Sequence, residues 1–255
     1  MFLTQHLRDP RRDRAILAGS LVALAALAWL SLAVWAASPF GRYLHHEGGV
    51  GPLPIEITLF VLGWVLMIVA MMLPSSIPLA LTFAALVGRR RRPGLLVLLL
   101  LSGYLVIWGG FGFAAWVLDR GIHAAVDASP WLAGHTQVII GATLLGAGLW
   151  QFSPLRDRCL DECRSPLGFV INRWQGTSER RESFAMGLAH GAFCIGCCWS
   201  LMLVMFGVGL GSVAAMLGLG ALTAVEKNLP WGRRLTHPLG FALIFLAIYS
   251  VAAAG

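Results

Sequence analysis

The chain has 255 residues, 58% of them hydrophobic and 12% charged, about half the ~25% charged share of an average soluble domain. Nineteen Lys and Arg against twelve Asp and Glu give a net charge of +7, but the charges lie between long apolar runs, a pattern of membrane topology and not of a nucleic-acid surface. A soluble globule, a disordered chain and a disulfide scaffold do not fit this composition, and all five cysteines fall between Cys159 and Cys198.

Seven apolar stretches are expected to cross a bilayer as helices, at about residues 15–37, 55–87, 94–118, 136–152, 184–208, 212–226 and 239–254, most of them near the ~20 residues that one crossing needs. Residues 153–183 are expected to form a cytoplasmic loop. The predicted fold class is all-α: a polytopic helix bundle forming one transmembrane domain over residues 1–255.

The first stretch follows a basic segment, and Ala36-Ala37-Ser38 resembles a cleavage neighbourhood. Its 23 apolar residues exceed the ~7–15-residue core of a signal peptide, so it reads as an uncleaved anchor. Pro74 and Pro78 lie inside the second stretch, and each removes a backbone donor, which predicts a kink or a broken helix. In the fifth, Gly187-xxx-Gly191 permits close approach of a second helix. Between the fifth and sixth, Gly207-Val-Gly-Leu-Gly211 lacks a preceding strand and a following Lys-Ser/Thr. It reads as a hairpin turn or part of a re-entrant segment, not as a nucleotide loop.

If each stretch crosses once, seventeen Lys and Arg fall on one side and two, Arg42 and Arg120, on the other. Basic residues in short loops stay cytoplasmic, so the N-terminus is expected inside and the C-terminus outside. Six crossings would break this tally.

The chemistry concentrates in His190-Gly-Ala-Phe-Cys194-Ile-Gly-Cys197-Cys198-Trp-Ser-Leu-Met202. At ~100° per residue His190, Cys194, Cys197 and Cys198 share one helix face, with Met202 just beyond it. At ~1.5 Å rise per residue His190 and Cys198 stand about 12 Å apart, too far to share one ion. Two arrangements remain open: a site around Cys194 with Cys197 or Cys198, completed from another helix, or a ladder of donors along which an ion steps.

Candidate partners for these donors are Cys159 and Cys163, whose i, i+4 spacing puts both thiols on one side of a short helix, and Met71 in the second stretch, placed at similar depth. Methionines are also ordinary apolar filler, and free cysteines are often buried without chemistry. Thiolate, thioether and imidazole donors favour a soft ion, so Cu(I) ranks first and Zn(II) second, while the scarcity of carboxylates disfavours Ca and Mg. A bound cation would also neutralise thiolates that hydrocarbon penalises. His45 and His46 could first meet an external ion. Glu226-Lys227 and Pro230-Trp231, with Arg233 and Arg234, read as an interfacial anchor in which Glu226 pairs with a neighbouring cation.

Several of these blocks together resemble a bacterial family of predicted metal-binding integral membrane proteins, grouped as a domain of unknown function. They are Met71-Met-Leu-Pro-Ser75, Cys159-xxx-Cys163-Arg164-Ser-Pro166, Gly187-xx-His190-Gly-xx-Cys194-xx-Cys197-Cys198-Trp199-xx-Met202, and Glu226-Lys227-xx-Pro230-xx-Arg233. The likeness spans about residues 60–240. It implies metal binding in the membrane through His190, Cys194, Cys197 and Cys198, with Cys159 and Cys163 as accessories.

The expected function is therefore binding of a soft metal ion in a bacterial inner membrane, for transport or delivery, without enzymatic activity. The expected partners are the bilayer, the ion, a metallochaperone or cuproprotein client, and a further copy of the chain in a homo-oligomer, with no nucleic acid. Two other readings remain. Cys194-xx-Cys197 has the spacing of a redox pair and Cys159/Cys163 could be a second couple, giving a thiol–disulfide oxidoreductase; a cytoplasmic, reducing location counts against it. In the third reading the protein is a scaffold subunit whose cysteines only pack.

Overall fold

A computed structural model of the chain describes residues 10–38, 53–208 and 213–253. His45, His46, Arg42 and part of the glycine-rich segment 207–211 lie outside the described residues. Those described form helices and no strands: α1 (Pro10–Ala36), α2 (Leu53–Met71), α3 (Leu73–Val87), α4 (Pro93–Ala128), α5 (Pro130–Gly134), α6 (Thr136–Trp150), α7 (Pro154–Arg164), α8 (Pro166–Arg173), α9 (Glu179–Val208), α10 (Val213–Asn228) and α11 (Thr236–Ala252), with a 3₁₀ turn at Gly232–Leu235 before the last.

Proline sets many of these boundaries. Pro93, Pro130, Pro154 and Pro166 each open a helix, where the missing N–H would have no intrahelical partner anyway. Ser129 and Ser153 cap α5 and α7 by accepting from the Leu132 and Leu155 backbone N–H groups, a first-turn contact typical of serine. The second apolar stretch is interrupted at Met72, where α2 ends and α3 begins with Pro74 in its first turn. This is the break that Pro74 predicts. Pro78 is accommodated inside α3 without ending it.

Five helices are long and apolar enough to cross a membrane, and six if α6 and α7, bent by 65° at residues 151–153, count as one broken span. That many long apolar helices are compatible with a multi-pass membrane protein. The expected seven crossings are not reproduced, because α10 has only 16 residues, about 24 Å at 1.5 Å per residue, and α6 only 15. The inside/outside assignment of the two termini rested on that odd count. Elsewhere the helices outrun the apolar stretches: α4 continues past Leu118 through Asp119-Arg120 to Ala128.

Large apolar side chains such as Leu27, Leu30, Phe241, Phe245 and Ile248 face outward, whereas Trp64, Trp108, the methionines of α2 and the cysteines of α9 are buried. The outer surface is thus as apolar as a lipid-facing bundle requires. Ion pairs join the basic segments to one another: Arg90 meets Glu179 at 3.0 Å, and Arg233 meets Asp161 on α7 at 3.0 Å. Away from them Arg120 of α4 approaches Glu56 at the start of α2. These contacts tie residues 89–92 to the start of α9, and α7 to the segment after α10.

Candidate metal centre

Helix α9 is the axis of the site, and α4 lies against it with almost no side chain between them. A Cβ on Gly103 would collide with the Phe184 carbonyl oxygen, and one on Gly187 with the Leu100 carbonyl oxygen. Gly191 likewise abuts Ile107 and the Tyr104 carbonyl. The small-xxx-small spacing in α9 thus lets two backbones touch. As a result Tyr104, one residue past Gly103, reaches across so that its hydroxyl lies 3.2 Å from the Cys194 sulfur.

The other thiols of α9 turn inward in the same turn. Cys197 and Cys198 both donate to the Cys194 backbone carbonyl, at 3.1 and 2.9 Å. Helix α7 supplies the second side of the cluster. Its Cys163 thiol lies beside the sulfurs of Cys194 and Cys197, while Cys159 packs its sulfur on the Gly196 backbone, close to Cys197. The i, i+4 thiols of α7 therefore face α9 together. All five cysteines are free thiols.

A charge closes the third side. Lys227, near the end of α10, donates from Nζ to the Cys194 sulfur at 2.9 Å, and both residues are buried. An ammonium removed from water needs such a partner. Its neighbour Glu226 points the other way, to a buried Arg156 that donates to both carboxylate oxygens at 2.9 and 2.8 Å. Thr236 bridges this pair, accepting from Arg156 at 3.0 Å and donating to Glu226 at 3.2 Å. Arg164, next to Cys163, donates to the backbone carbonyls of Glu226, Leu229 and Pro230, at and just past the end of α10. Helix α7 thus holds α10 through two arginines while its cysteines meet α9.

His190 lies one turn before the thiols. Its Nε2 is 3.2 Å from the Ser76 hydroxyl on α3, its ring stacks on Tyr104, and its Nδ1 is buried with no hydrogen-bond partner among the described residues. Ser76 also approaches the Tyr104 hydroxyl, so a chain of polar groups joins His190 to Cys194. Met71 packs against Gly220 of α10, and it is the adjacent Met72 whose sulfur lies 4.0 Å from Cys198. Met202 is fully buried in the apolar core.

Among the described residues no three His, Cys, Asp or Glu side chains form a ready-made metal-holding group. The arrangement is instead a cluster of mutually contacting sulfurs with an ammonium against one of them. Three of its participants, Lys227, Tyr104 and Ser76, are not conspicuous in the sequence, whereas Met72 stands in the Met71-Met-Leu-Pro-Ser75 block. For Lys227 the local signal is the Glu226-Lys227 pair at the close of an apolar stretch, and that pattern is also the signature of an interfacial anchor.

A protein-family model described as a copper chaperone, PpoB2, matches residues 61–250. The chain belongs to this family. No curated protein and no solved structure matches it. The PpoB2 match begins within α2 and runs into α11, so it takes in every helix that contributes to the thiol cluster. Membership ties the chain to copper, and the sulfur-rich donor set fits a soft ion of that kind.

Proposed function

We propose that this protein binds Cu(I) inside a bacterial inner membrane and delivers it across the bilayer or to a cuproprotein under assembly. The observation that carries the reading is the approach of half-buried Cys163 on α7 to the buried Cys194, Cys197 and Cys198 of α9 in a PpoB2-family chain. Cu(I) is satisfied by two or three sulfurs, so the cluster needs no fourth protein ligand, and thiolates are the donors that select it over harder ions. Zn(II) is the second candidate. It favours four closed positions, which would need a wider rearrangement of these side chains.

The end of the bundle that carries the basic segments is the cytoplasmic one in this reading, by the positive-inside rule. Cargo would then be exchanged on the side where Cys159 and Cys163 lie. His190 stands outside the sulfur group, and its unpartnered Nδ1 makes it a second stop for the ion, one helical turn further along α9. No nucleotide-binding motif is present in the sequence, so movement of the ion would draw on a gradient or on a partner protein.

Elemental analysis of the reduced, detergent-purified protein tests this. About one or two copper ions per chain are expected, and replacing Cys194, Cys197 and Cys198 together by Ser should remove them. Copper content unchanged by that triple replacement, or native protein that takes up no copper, overturns the reading.

A further inference from the structure

We infer that Lys227 is a permanent counter-charge of the metal site, which matches it to a monovalent ion held by two thiolates and disfavours a divalent one. The inference rests on the proposed copper binding and adds to it a residue that sets ion selectivity.

The geometry leaves Lys227 little other use. It reaches into the bundle from the last turn of α10, its Nζ donates to the Cys194 sulfur at 2.9 Å, and it is buried. Its neighbour Glu226 is already engaged by Arg156 and Thr236. Within this group the positive charge of Lys227 is therefore balanced by sulfur. The Tyr104 hydroxyl, at 3.2 Å, is a second group placed to donate to the same sulfur. Cys194 thus stands out as the thiol prepared to be anionic, whereas Cys197 and Cys198 donate their S–H groups to its carbonyl.

The partner thiolate follows from the same contacts. Cys163 lies beside the sulfurs of Cys194 and Cys197 from the facing helix, whereas Cys197 and Cys198 would each have to give up a bond to the backbone to bind an ion. Cys163 gives up its proton to solvent on binding, and two sulfur–metal bonds form. A Cu(I) ion with two thiolates carries one net negative charge, and the ammonium beside Cys194 cancels it. A Zn(II) ion with the same two thiolates is neutral, so Lys227 would be left as an uncompensated buried cation. In a medium of low dielectric such an imbalance is costly, and it separates the two ions although both bind sulfur well. The lysine need not move aside, since a metal-bound thiolate still accepts a hydrogen bond.

The test uses the full-length protein in detergent, with Cu(I) and Zn(II) offered separately and in competition under reducing conditions. Lys227→Leu is expected to weaken Cu(I) binding at least tenfold and to shift the competition toward Zn(II), whereas Lys227→Arg keeps the native preference. Cu(I) affinity and copper-to-zinc preference unchanged in Lys227→Leu overturn the inference while leaving copper binding by the native protein intact. If Lys227→Leu does not fold, X-ray absorption on the native copper-loaded protein decides. Two sulfur neighbours around copper are expected, and three or more sulfur neighbours overturn it. Native protein that binds no copper overturns this inference together with the function on which it rests.

Discussion

Two helix crossings in this protein are built alike and do different things. In the pair α4–α9, Gly103, Gly187 and Gly191 bring backbones into contact; in the pair α6–α11, Gly148 comes close to the Gly240 and Ile244 backbone and Gly141 makes room for Val251. The second pair meets mostly apolar side chains there, such as Ile244, Val251 and Phe152. The first carries Tyr104, His190 and Cys194 at the crossing and is covered by α7 and α10. Close approach is therefore a packing device common to both, in a setting where lipid offers no hydrophobic drive between helices. The chemistry comes from the thiols and histidine of α9 at the first crossing, together with the cysteines of α7 and Lys227 of α10 that pack on it.

The sharpest way to break this contrast is through the clasp that holds those short helices. Arg156→Met strands Glu226 in a buried position, and removal of one partner of such a pair costs about 3–5 kcal/mol. Thermal unfolding in detergent should show that loss together with lowered copper content. Pairing the change with Glu226→Leu should restore most of the stability, because replacing both partners by apolar groups is often neutral. Equal losses in the single and double variants would mean that the clasp is not a paired unit.

A smaller effect separates the two crossings. Gly187→Ala places a methyl against the Leu100 carbonyl, which is backbone and cannot swing away. About 3 kcal/mol and a reduced copper affinity are expected, at the upper end of overpacking costs. Gly148→Ala places its Cβ 2.7 Å from Ile244 Cγ1, a movable side-chain atom, and 3.0 Å from the Gly240 carbonyl. About 1 kcal/mol with unchanged copper binding is expected there. Parallel melting and metal-binding curves check both, and a copper defect in Gly148→Ala would erase the distinction.

The smallest effect concerns Glu182, which lies before the apolar part of α9. Its carboxylate accepts from the Ser178 backbone N–H at 2.8 Å and from those of Gly176, Gln175 and Thr177, with the Thr177 hydroxyl as well. These donors, led by the Ser178 N–H, pull its pKa from 4.5 to about 2. Because the folded-state pKa is depressed, the stabilisation is complete above about pH 4.5 and is lost as pH falls toward 2. Glu182→Gln should melt slightly lower than the native protein at pH 6, and the gap should shrink at pH 3. Exposure of the group keeps the whole effect modest.

Much of this arrangement is legible in the amino-acid sequence, for local reasons. Pro74 interrupts its helix because a missing N–H acts within one turn, and the i, i+4 thiols of α7 fall on one face by helical geometry alone. Gly187 and Gly191 mark a close crossing through their spacing. What escapes is set by contacts distant in the chain. Lys227 meets Cys194 across 33 residues, Tyr104 meets it across 90, and Met72 meets Cys198 across 126. A lysine at the end of an apolar segment has the same pattern whether it anchors to the interface or turns into the bundle, and only the tertiary packing of α10 on α7 decides. The seven expected crossings are not matched for a related reason: apolar runs of 15 or 16 residues carry no sign of whether protein or lipid surrounds them.

The contact between α4 and α9 also acts as a wall. With carbonyl oxygens lying against glycine backbones at Gly103 and Gly187, that side of Cys194 has no width for a travelling ion. In the proposed copper-handling role an ion would have to reach Cys194 along the opposite flank, where Arg164 grips carbonyls at and just past the end of α10 beside Cys163. Loading and release would then be tied to how readily one arginine lets go of a helix end.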